Sequence, residues 1–112
     1  MREKAFDPTR DHRITRAEAA SLIQAFQAKA KAEAGTHRAS AFNRSAFEQL
    51  LAQPSAAGIR IYRAHHKDGS PAVVMVAVDA KGVDLDGAGA VFIQNSFDCP
   101  PVCFGANLGL KA

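Results

Sequence analysis

At 112 residues the chain fits one domain with a single modest core. Apolar residues make up 47% and charged residues 22%, which excludes wholesale disorder, and no run approaches the ~20 apolar residues of a membrane helix. The formal charge is +3, but the basic residues stand beside acids, as in Arg2-Glu3-Lys4 and Arg10-Asp11, and Trp is absent. Such dispersal disfavours a nucleic-acid interface, for which Arg10, Arg13, Arg16 and Arg38 are the candidates.

Residues 1–13 read as a flexible arm, with a turn signal at Asp7-Pro8 and no periodicity. Met1 to Arg16 is polar and charged, without an apolar segment leading to a cleavage site, so the expected location is the cytoplasm, where thiols stay reduced. From residue 14 onward a single α+β domain is expected. In "ITRAEAASLIQAFQAKAKAEAG", Thr15 and Glu18 form a capping box, with Ile14 as the staple residue. Leu22, Ile23, Phe26 and Ala30 recur at helical spacing, and Gly35 is a natural stop. A second helix is expected from Asn43 as cap to Gln53, with Phe47, Leu50 and Leu51 on one face. Pro54 ends it, and Phe42 is placed to pack back on it.

The period then changes. "GIRIYRAHH" alternates Ile59 and Ile61 against Arg60 and Tyr62, as a strand with one apolar face does. Lys67-Asp68-Gly69-Ser70 signals a hairpin, and "AVVMVAVDA" a second strand that is apolar on both faces. Ala80-Lys81-Gly82 makes a turn, "VFIQN" a third short strand, and beyond Ser96 the chain reads as an irregular tail. The expected architecture is α+β: two N-terminal helices packed on a small antiparallel meander of about three strands.

The doubly apolar strand carries the functional expectation. Two helices cover one side of a three-stranded sheet, and an antiparallel sheet with a wet face should alternate cleanly. Either the tail crosses the second face or another copy does. The expected reading is a self-associating structural or interaction protein, a homo-oligomer. Its contacts would be Val73, Met75, Phe97, Val102, Phe104, Leu108 and Leu110, and a head-to-tail contact that does not close would give a filament.

Cys99-Pro-Pro-Val-Cys103 is the other candidate site. It reads as a packed, inert turn, as a disulfide if the turn brings the Cα atoms within about 7 Å, or as half of a metal site short of ligands. A metal- or redox-responsive module built on this pair is the alternative function. His65 and His66 are adjacent on a strand and point to opposite faces, so they do not share a metal. Asp84 and Asp86 beside glycines suggest half of a calcium loop, but the twelfth position from Asp84 is Asn95 rather than Glu. "GAGAVF" joins no strand to a helix and is no dinucleotide fingerprint. No catalytic residue, cofactor or small-molecule ligand is indicated.

"AGIRIYRA", "VVMVAVDAKG" and "CPPVC" resemble segments of a family of small uncharacterised bacterial proteins, which join an N-terminal helical part to a Gly-Ile-Arg-Ile-Tyr strand, a Val-Asp-Ala-x-Gly turn and a terminal Cys-Pro-Pro-x-Cys. The matching positions are Gly58, Arg60, Tyr62, Asp79, Gly82, Cys99, Pro100, Pro101 and Cys103, and the likeness covers about residues 42–103. It implies a recurring bacterial domain and carries no activity.

Overall fold

The computed structural model describes residues 5–30 and 36–108. It is an α+β protein with helices α1 (Arg16–Ala30) and α2 (Arg44–Leu51) and strands β1 (Ala39–Ala41), β2 (Gly58–His65), β3 (Pro71–Val78), β4 (Phe92–Ile93) and β5 (Phe97–Cys99). Two compact units emerge, one from residues 1–10 with 41–96, the other from residues 11–40 with 97–112. Among the described residues no helix is long and apolar enough to cross a membrane.

The first unit is the meander with α2. Strands pair in the order β2-β3-β4, antiparallel throughout, with Gly58 opposite Val78, His65 opposite Pro71 and Met75 opposite Ile93. The hairpin forms where the sequence signals it. Gly69 takes φ +86, a left-handed conformation that glycine adopts without a Cβ penalty. The Asp68 carboxylate accepts the Ser70 N–H at 2.9 Å, and the Ser70 hydroxyl donates to it at 2.6 Å. At the next turn Asp79 does the same work, accepting from the N–H groups of Lys81 and Val83, both at 2.9 Å.

Helix α2 covers one face of this sheet. Leu50 is fully buried with Met75 and Ala77, ringed by Phe42, Ala56, Ile59, Leu85, Val91 and Ile93. Phe42 packs edge-on against Phe47 with ring centroids 6.3 Å apart, as its place before the helix suggests. Phe47 and Leu51 remain exposed, so the buried stripe of α2 is narrower than the expected three-residue face. Asn43 occupies the cap position without a side-chain hydrogen bond. The helix ends at Leu51, capped by Ala52, rather than at Gln53. The Gln53 side-chain amide donates to the Leu50 carbonyl at 3.0 Å and accepts the Val91 N–H at 3.0 Å, tying the helix end to the residue that precedes β4.

The second face of β3 is dry as well. Val76 and Val78, which share the face of Gly58, Arg60 and Tyr62, are buried, as are Met75 and Ala77 on the opposite face. Part of the cover is Phe6. A Cβ on Gly58 would lie 3.0 Å from the Phe6 ring, and one on Gly82 only 2.6 Å from the Phe6 Cβ. The arm thus lends a side chain to the sheet, a role expected of the tail or of another copy.

In the second unit, Thr15 and Glu18 close the expected capping box: the Thr15 N–H donates to Glu18 at 2.9 Å and the Glu18 N–H to Thr15 Oγ1 at 3.0 Å. None of the residues of α1 is buried, and Leu22 and Phe26 are exposed. The expected stop at Gly35 lies outside the described residues. Strands β1 and β5 form a two-stranded sheet, so the segment after Ser96 begins as a strand where an irregular tail was expected.

Candidate association surface and cystine loop

The loop after β5 is built by its prolines and closed by its sulfurs. The Cys99-Pro100 and Pro100-Pro101 peptide bonds are both cis, and the Cα atoms of Cys99 and Cys103 are 4.8 Å apart with their Sγ atoms in a disulfide. Of the three readings of this motif, the bonded one is the state observed. Bonded sulfurs offer no thiolate to a metal, and among the described residues no group of three or more His, Cys, Asp or Glu is placed to hold one. Cys99 is buried while Cys103 is half-buried. Backbone bonds from Val102 N–H to the Asp98 carbonyl (2.8 Å) and from Ala106 N–H to the Cys103 carbonyl (2.9 Å) order the flanks.

Beside the cystine lies a polar chain that sequence reading did not reveal. Ser40 on β1 donates its hydroxyl proton to Asp98 on β5 at 2.8 Å, and His37 Nε2 lies 2.9 Å from the same hydroxyl. The serine has one proton, committed to the carboxylate, so the imidazole donates to Ser40 Oγ. A nucleophilic serine needs the reverse order, with histidine as acceptor and the carboxylate behind it. Here the chain latches β1 to β5, supported by the Arg38 N–H donating to the Cys99 carbonyl at 2.8 Å. The signal was hidden because Ser40 and Asp98 are 58 positions apart.

On the meander, Gly58, Arg60 and Tyr62 share one face of the sheet. Gly58 and Gly82 seat Phe6, Asp79 shapes the turn, and Arg60 and Tyr62 both bind Asp84, the guanidinium at 2.5 Å and the phenol by a short hydrogen bond. The bond from Tyr62, then those from Arg60, hold the Asp84 carboxyl below the ordinary carboxylate range. The same carboxylate pushes the Tyr62 phenol up. Asp84 is therefore engaged within its own unit by side chains.

The residues expected to associate divide into three groups. Met75 belongs to the core and Val73 is half-buried. This is a correction to the expected surface: β3 places Met75 under α2. Phe97, Val102 and Leu108 are exposed, and Phe104 is entirely so at 104%. Leu110 lies outside the described residues. Reading by strand pattern alone overlooked Ile61, Tyr62, Val83 and Phe92, all exposed. Ile61 lies on the face that α2 covers, Tyr62 and Phe92 lie on the opposite face, and Val83 lies in the turn after β3. Comparison with family models, with curated proteins and with solved structures returns no match.

Proposed function

We propose that this chain is a non-enzymatic, self-associating structural or interaction protein that assembles through its sheet surface and its C-terminal segment. The observation that carries this reading is the apolar content of the segment around the cystine: Val102 within the cross-linked loop and Phe97, Phe104 and Leu108 flanking it are all exposed. Four large apolar side chains exposed within twelve residues favour burial against a partner. Contacts between like surfaces close as dimers, whereas a head-to-tail contact that fails to close grows into a filament. The test is light scattering on the protein leaving a sizing column, with Phe104→Ser alongside. A mass above 11.9 kDa that falls in the variant supports the reading; an unvarying monomer in both refutes it.

A second reading is favoured by the disulfide. The setting proposed here is a bacterial cytoplasm, in keeping with the resemblance of the motifs, and there thiols are kept reduced. A Cys99–Cys103 bond in that setting is made and broken, and the module reports redox state by opening the loop that presents Val102 and Phe104. Alkylation mapped by mass spectrometry from oxidised and unstressed cells distinguishes the cases. Equal labelling in both removes the redox reading.

A further inference from the structure

Strand β2 lies at the outside of its sheet. Its register with β3 is unbroken over all eight pairs, and the ladder continues with the His66 N–H donating to the Ser70 carbonyl at 2.8 Å. Bonded pairs alternate along an antiparallel ladder, so this bond fixes the phase: Gly58, Arg60, Tyr62 and Ala64 bond to β3. The N–H and C=O groups of Ile59, Ile61 and Arg63 point away from it, and among the described residues no strand pairs with that edge. Ile61, Tyr62 and Arg63 are exposed there. The usual guards of an open edge are a proline, a bulge or a very short strand, and β2 has none of them; its only guards are the charges of Arg60 and Arg63.

We infer that this edge pairs antiparallel with the same strand of a second copy, with Ile61 on the two-fold axis. The inference rests on the self-association reading and specifies one of its contacts. In this register Ile61 stands opposite its counterpart, Ile59 opposite Arg63 and Arg60 opposite Tyr62. The outward groups of Ile59, Ile61 and Arg63 then exchange about six backbone hydrogen bonds, two from each narrow pair. Charge selects the register. Arg60 and Tyr62 are each bound to Asp84 of their own copy, so two charge-balanced clusters meet and no like charges stand directly opposite each other. Moving the axis to Arg60 or to Arg63 sets identical charges opposite each other, which destabilises a pair. Moving it to Tyr62 faces Arg60 with Ala64 and separates the two isoleucines. Ile61, 59% exposed in the single chain, meets its own counterpart only with the axis at its own position.

The test is amide hydrogen exchange, read residue by residue by NMR at several protein concentrations, with sedimentation velocity on the same samples. The N–H groups of Arg60 and Tyr62, bonded to β3, serve as internal controls that are protected throughout. Where nine-tenths of the chains are paired, exchange at Ile59, Ile61 and Arg63 should slow about tenfold, since only the free tenth exchanges. Ile61→Lys, at an exposed site that leaves the β3 ladder intact, should abolish that slowing. Ile61→Pro, which removes an N–H that β3 does not use, should do the same. Association that persists while these three amides exchange at the dilute rate overturns edge pairing and leaves the self-association reading standing. A single monomer mass at every concentration overturns both. Full protection of the three amides in the monomer overturns the inference in favour of pairing within one chain.

Discussion

Replacing Gly82 by alanine probes how the second face of the sheet is sealed. Gly82 sits at φ +84, where a residue with a Cβ costs roughly 1–2 kcal/mol. The added Cβ would also lie 2.6 Å from the Phe6 Cβ, the root of that side chain rather than its tip, so Phe6 must leave its seat. Burying a whole Phe is worth about 3–5 kcal/mol over Ala. Phe6 is half-buried, so its displacement costs about 2 kcal/mol. Gly82→Ala should thus destabilise by about 3–4 kcal/mol and Phe6→Ala by about 2. The double variant should also lose about 3–4, because the Cβ at position 82 then displaces a segment that has already lost its ring, so only the backbone term of Gly82→Ala is added. Urea unfolding followed by circular dichroism measures all three. Additivity of the single effects to within about 0.5 kcal/mol would refute the seating of Phe6 on Gly82.

Other expectations follow from single contacts. Leu50→Ala empties the centre of the core and should cost about 2–5 kcal/mol in the same assay, whereas Leu51→Ala, at an exposed position of the same helix, should cost far less. Tyr62 is the only tyrosine, so absorbance at alkaline pH reads it alone. Its midpoint should lie above the ordinary 10.0, chiefly through the hydrogen bond to Asp84, and Asp84→Asn should return it toward that value. The sign is set by the shifts. The Tyr62 contribution to stability is complete below its ordinary value and lost as pH rises through the raised one. The Asp84 contribution is complete above 3.8 and lost as pH falls through the depressed value. Iodoacetamide should label Cys99 and Cys103 only after reduction. The short loop limits the stability lost on reduction to about 2 kcal/mol.

The local signals in the sequence proved the most legible. The Thr15–Glu18 box, the Asp68-Gly69 hairpin and the Asp79 turn each join residues within four positions of one another, so type and spacing suffice to place them. Strand β2 declared itself by alternation and β3 by an apolar run rich in valine. What stayed hidden depends on distant pairs. The β1–β5 sheet has strands of only three residues, too short for a period to show, and its latch joins Ser40 to Asp98. Phe6 lay in a stretch without pattern, and nothing in its neighbours tells that two glycines more than fifty positions away leave room for its ring. That omission mattered, because it made β3 look short of cover from its own chain. Apolar side chains remain open on the C-terminal segment, on the outer strands of the meander and on both helices.

Sedimentation velocity of the native, oxidised protein over a hundredfold dilution series addresses the assembly most directly. A sedimentation coefficient that climbs with concentration, from that of an 11.9 kDa chain toward that of a dimer or larger species, is the predicted result. One unchanging coefficient, that of the single chain at every dilution, would contradict it.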